Sequence, residues 1–126
     1  MEDKNYEMKH QEKHADNTIN EKNKLNQIEK RIDEQQMKIK KIDSMQNDLF
    51  TMKKSFNNCL SLLSKSIKGK KSNYMFDDMY NSNNAITTKV SSILDEERSS
   101  TNKILNDLYL EKTEIESKQK KEQKED

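Results

Sequence analysis

Proline is absent and glycine occurs once, at Gly69, so almost nothing in the chain interrupts a helix. Signals for strands are weak as well. There is a single valine, Val90, no tryptophan, few aromatics, and no run in which apolar and polar residues alternate. These absences leave an all-α protein. Only 29% of the residues are hydrophobic, too few for a globule whose interior is apolar on every side. Helices that meet along a narrow seam need far fewer, because only every third or fourth residue is buried. No stretch approaches the ~20 apolar residues of a membrane span, so stable membrane insertion is not expected. The first residues, Met1-Glu2-Asp3-Lys4-Asn5, lead into no apolar run and give no sign of a secretory signal peptide. The lone cysteine, Cys59, fits a reducing compartment. The expected location is cytoplasmic, with export alongside a partner left open.

What the chain has in quantity is charge: 37% of its residues, with 24 basic and 23 acidic side chains giving a net charge of +1. Low hydropathy alone would fit a disordered chain, but the two signs interleave, as they do on solvated helix faces. A dedicated nucleic-acid binder would show a clear basic excess, so nucleic acid is not an expected partner.

Apolar residues fall into two long stripes around Gly69. In the first, Leu25, Ile28, Ile32, Ile39, Ile42, Leu49, Phe56, Leu60, Leu63 and Ile67 keep one alternating three-four spacing, the a/d seam of a heptad pattern. Gln35, Gln46 and Lys53 interrupt it, and Met45, Met52 and Cys59 flank it. In the second, Met75, Met79, Ile86, Val90, Ile93, Ile104, Leu108 and Ile115 recur at helical spacing, with Leu94, Leu105 and Leu110 beside them. The pattern predicts a long antiparallel helical hairpin, coiled-coil-like, over 20–117. Its helices are expected over 20–68 and 74–117, its turn over 69–73, and frayed or disordered ends over 1–19 and 118–126.

Gly69 suits a left-handed helix closure, Lys65 and Lys68 suit the negative end of the first helix dipole, and Ser72 or Asn73 can cap the second helix. A longer connection, reaching the weak helix formers Asn81 to Asn84, is the alternative. The stripes are thin and polar at their outer ends and richest near Gly69. Helix pairs of such low apolar content are marginal alone, which implies a helical partner or a second copy of the chain.

Catalytic chemistry finds no support. His10 and His14 share a helical face, but no third ligand completes a metal site. Cys59 has no histidine within a turn and reads as a buried thiol at the seam edge. No carboxylate pair converges and no glycine-rich phosphate loop is present. No enzyme activity, metal or cofactor is therefore expected. Lys65, Lys68, Lys70 and Lys71 form a basic tip that reads first as dipole compensation and solubility. The second reading is contact with phosphates or anionic lipid. Tyr74, Met75, Phe76, Met79 and Tyr80 are the densest aromatic and methionine cluster. They suit either a partner surface or closure of the tip against Leu60, Leu63 and Ile67.

From Ile32 to Leu110, the hairpin pattern with a glycine at its turn resembles the small helical proteins of type VII secretion in Gram-positive bacteria. Among these it is similar to the accessory proteins encoded beside LXG-type toxins. The resemblance implies a hairpin that binds a toxin's helical targeting domain, with a second small helical protein as a further partner, and keeps it soluble and competent for export. The turn reads Ile67-Lys68-Gly69, so isoleucine stands where the Trp-x-Gly relatives carry tryptophan. A Tyr-x-x-x-Asp pair, Tyr74 and Asp78, lies at the turn and not after the second helix, where Tyr109 is followed by Thr113. The expected partner surface comprises Leu49, Met52, Phe56, Leu60, Leu63 and Ile67 on the first helix. On the second it comprises Tyr74, Met75, Phe76, Met79, Tyr80, Ile86, Val90 and Ile93. A structural coiled-coil homo-oligomer or scaffold subunit is the alternative function.

Overall fold

A computed structural model describes the backbone from Glu2 to Glu125 and the side chains of residues 18–123. It is an all-α hairpin: α1 (Glu2–Ser66) and α2 (Lys70–Glu125) pack against each other, with no strand among the described residues. The helices run beyond the expected 20–68 and 74–117 at their outer ends, and the connection is shorter than the expected 69–73. Residues 81–84 lie inside α2, which removes the longer connection.

The turn works differently from the expected left-handed closure. Gly69 has φ 158°, close to fully extended backbone, and an added Cβ would meet nothing nearer than Ser72 Oγ at 3.9 Å. α1 ends with Ile67 N donating to Leu63 O at 2.8 Å, and α2 begins with Asn73 N donating to Gly69 O at 3.0 Å. Gly69 thus supplies the first acceptor of α2. Ser72 and Asn73, expected as caps, lie within its first turn.

The hairpin divides into two compact units. In the unit made of Met1–Gln36 and Lys103–Asp126, Ile28 and Ile32 of α1 and Leu105 and Leu108 of α2 are buried. Lys112 Nζ lies 3.7 Å from Glu29 Oε1, and Gln36 Nε2 donates to Tyr109 Oη at 2.7 Å.

The unit Met37–Asn102 buries Ile42, Leu60 and Phe76, and Thr101 is fully enclosed. Thr101 satisfies its hydroxyl locally, donating to Glu97 O at 2.7 Å. Its helices are tied by polar groups at the seam. Arg98 Nη2 donates to Asp43 Oδ1 at 2.6 Å and also to Gln46 Oε1, while Nη1 reaches Asp95 Oδ1 at 3.1 Å. Gln46 Nε2 in turn donates to Asp95 Oδ1 at 2.8 Å. Nearer the turn, Asn83 Nδ2 donates to Asn57 Oδ1 at 3.3 Å. Moving towards the turn along α1, from Asp43 to Gln46 to Asn57, the partners step back along α2 from Arg98 to Asp95 to Asn83. That fixes an antiparallel register within this unit.

The inward line of α1 follows the expected seam through Ile39, Ile42, Gln46, Leu49 and Lys53. It then moves on by one residue to Asn57, returns to Leu60, and ends at Ser64, leaving Phe56 and Leu63 exposed. A straight helix of 3.6 residues per turn drifts against a 3.5-residue repeat, and the consecutive four-residue steps from Leu49 to Lys53 to Asn57 absorb that drift.

On α2 the expected seam is corrected. Val90, Leu108 and Ile115 do turn inward, but the rest of the inward line is Phe76, Asn83, Thr87, Leu94, Arg98, Thr101 and Leu105. Met75, Met79, Ile86, Ile93 and Ile104 are exposed. The reason is that α2 carries two neighbouring apolar stripes of similar quality, and the bonds made by Arg98 and Asn83 to α1 choose between them.

Adjacent residues test this register. Leu105 is 7% exposed and Ile104 39%. Leu105→Ala should therefore cost about 2–4 kcal/mol in urea unfolding followed by circular dichroism, and Ile104→Ala well under half of that. Equal losses would restore the seam expected from spacing alone.

A candidate helix-docking groove

All fourteen residues expected at a partner surface fall in the unit Met37–Asn102. The fold sorts them into two groups. Leu60 and Phe76 are buried and belong to the hairpin's own core, and Leu49 and Val90 are half-buried at the seam. Met52, Phe56, Leu63, Ile67, Tyr74, Met75, Met79, Tyr80, Ile86 and Ile93 are exposed. The aromatic and methionine cluster is therefore divided: Phe76 is buried in the hairpin's core, and its four companions are exposed.

Several of the exposed residues form a groove of about 680 Å³, lined by Phe56 of α1 and by Lys71, Tyr74, Met75, Asp78, Met79, Ser82, Asn83 and Ile86 of α2. Its geometry follows from helical phase. At about 100° per residue, Met75, Met79, Ile86 and Ile93 lie on one line of α2, roughly a quarter turn from the inward line through Phe76, Asn83 and Leu94. On α1, Met45, Met52, Phe56, Cys59 and Leu63 form the matching outward line. From Met75 to Ile93 the α2 line spans about five turns, some 27 Å. Tyr74 and Asp78, the Tyr-x-x-x-Asp pair of the sequence, both border the groove.

Cys59 was expected to be buried at the seam edge; it is exposed. It stands three residues after Phe56 on the outward line, and it moved out with that line when the inward one shifted to Asn57. No group of three or more His, Cys, Asp or Glu among the described residues could hold a metal. His10 and His14 lie outside the residues whose side chains are described. No helix among the described residues is long and apolar enough to cross a membrane.

The groove offers apolar burial along Phe56, Met75, Met79 and Ile86, with Lys71, Asp78, Ser82 and Asn83 as polar groups beside it. Its walls offer flexible methionines and aromatic edges, side chains that adapt to a partner's relief. A helix presenting residues at i, i+3, i+4 and i+7 would lay its apolar side along it. Spacing could find the apolar stripes but not which one the hairpin would consume. Ser82, exposed, and Asn83, half-buried at the seam, also border the groove, where the sequence offered them only as weak helix formers.

Comparison with known proteins finds no matching protein family, curated sequence or solved structure.

The groove residues should be dispensable for folding. The double variant Met79→Ser, Ile86→Ser is expected to change unfolding free energy by less than about 1 kcal/mol. Phe76→Ala, one position from Met75 but buried, should cost about 3–5 kcal/mol. Thermal and urea unfolding of the three chains measures the contrast.

Proposed function

We propose that this chain is a non-catalytic partner protein that binds a helical segment of another protein in the groove beside Phe56, Met75, Met79 and Ile86. The observation that carries this reading is the second apolar stripe of α2, left exposed although a neighbouring stripe of the same helix is packed. Single exposed apolar residues need no explanation. Phe56 of α1 with Met75, Met79 and Ile86 of α2 along one groove is a contiguous exposed set, which supports the reading of an interaction site. Burial of such a stripe by a partner helix would supply the apolar contact that a two-helix protein of this composition lacks.

The resemblance in hairpin pattern gives the partner its proposed identity: the helical targeting domain of an LXG-type toxin exported by type VII secretion. In that role the hairpin would shield the domain's apolar helices and keep them competent for export. Tyr74 and Asp78 at the groove rim sit where a bound helix would touch them. A lasting signal for the secretion machine would then come from the partner or from the assembled pair.

Co-expression with such a toxin's helical domain, followed by size-exclusion chromatography with light scattering, tests the proposal. The two proteins should co-elute at micromolar concentration, and Met79→Asp with Ile86→Asp should weaken the complex at least tenfold. Separate elution would sink the toxin assignment. A stable homo-oligomer dispersed by the same two substitutions would instead make the occupant a second copy of the chain.

A further inference from the structure

From Asp48 to Asp77 the chain carries six lysines and no acidic residue between those two aspartates. The fold gathers four of them at the turn. Lys65 stands in the last turn of α1, Lys68 in the connection, and Lys70 and Lys71 open α2. All four are exposed, and none makes an ion pair among the described residues. Compensation of the helix dipole accounts for Lys65, which lies at the negative end of α1. It does not account for Lys70 and Lys71. They stand at the positive end of α2, where a cation is unfavourable, and that first turn contains no acidic residue. The nearest opposing charges along α2 are Asp77 and Asp78, about two turns beyond Lys70 and Lys71, so the first turn itself keeps an excess of positive charge.

Among these lysines are exposed apolar side chains. Leu62, Ile67 and Tyr74 are 65%, 48% and 70% exposed. Ile67 lies in the connection itself, so it has no place on either helix's packed face. Lysines interleaved with outward aliphatic residues and a tyrosine match the two layers of an anionic bilayer surface. Cations pair with headgroups, the aliphatic side chains reach the acyl boundary, and the phenol sits between. A nucleic acid would satisfy the lysines but would leave Leu62 and Ile67 without an apolar partner, and one tyrosine is not a stacking platform.

We infer that the turn of the hairpin docks reversibly on an anionic lipid surface, with the lysines of the tip among the headgroups and Ile67 and Leu62 at the acyl boundary. This surface is distinct from the groove except for Lys71 and Tyr74, which border both. The two proposals stand separately.

The test uses the full chain and sedimentation with vesicles of phosphatidylcholine, alone or mixed with phosphatidylglycerol. Binding is expected on the mixed vesicles only, and it should fall steeply as salt rises from about 0.1 to about 0.5 M. Each surface lysine contributes about fivefold, so Lys65→Gln, Lys68→Gln and Lys70→Gln together should weaken binding roughly a hundredfold. Arginine at the same three positions should restore it. Leu62→Ser with Ile67→Ser should weaken binding to vesicles. Lys118→Gln, Lys120→Gln and Lys121→Gln should leave it unchanged. Absence of binding to the anionic vesicles overturns the inference, as does equal binding to neutral ones. So does an equal loss with the distal lysine variant, or tighter binding to duplex DNA that ignores Leu62 and Ile67. None of these variants touches Met79 or Ile86, so failure here leaves the groove proposal standing.

Discussion

Arg98 decides which side of α2 meets α1. Its guanidinium reaches Asp43 and Gln46 across the seam and Asp95 on its own helix, and these bonds require it to face inward. A guanidinium offers five donors in a fixed plane, so two acceptors on a neighbouring helix set both rotation and register. The pairs are partly open to water, and their net energy is small beside their geometric demand. Once Arg98 faces inward, Leu94 and Thr101 must do so too, three or four residues away on the same helical line. Ile93 must then point aside.

That one choice produces the feature on which the proposed function rests. α2 has enough apolar residues for two stripes, and its pairing with α1 covers one. The stripe left over runs from Met75 to Ile93, and its Met75, Met79 and Ile86 line the groove with Phe56 of α1. Polar seam residues such as Asn57, Asn83 and Thr101 thus have a role beyond the bonds they make. They allow two helices to associate through a thin core while a second apolar stripe of similar character stays outside.

The groove and the tip adjoin within one unit but ask for different chemistry. The groove combines an apolar line with the polar groups of Lys71, Asp78, Ser82 and Asn83; the tip is cationic, with apolar side chains set among the lysines. Lys71 and Tyr74 border both. Under the two proposals, an occupant of either surface would touch Lys71 and Tyr74.

Helix class, the break at Gly69 and the α1 seam as far as Lys53 were legible in the sequence, because each depends on local chemistry. With no proline, one glycine and no alternating apolar run, local chemistry favours helix, and a three-four spacing places its residues on one face whatever they pack against. The turn's position was legible and its conformation was not: Gly69 takes nearly extended backbone and serves as the first acceptor of α2. Beyond Lys53, the shift from Phe56 to Asn57 reflects helical drift accumulated over many turns, which no single residue announces. The inward face of α2 was illegible for a different reason. Met75, Ile86 and Ile93 match Phe76, Leu94 and Leu105 in apolar character, so spacing rates the two stripes nearly alike. The sequence by itself determined two amphipathic helices and more apolar surface than one seam can use. Only the tertiary structure decided which part of that surface remains free, because the choice rests on bonds from Arg98 and Asn83 to residues far away in the chain.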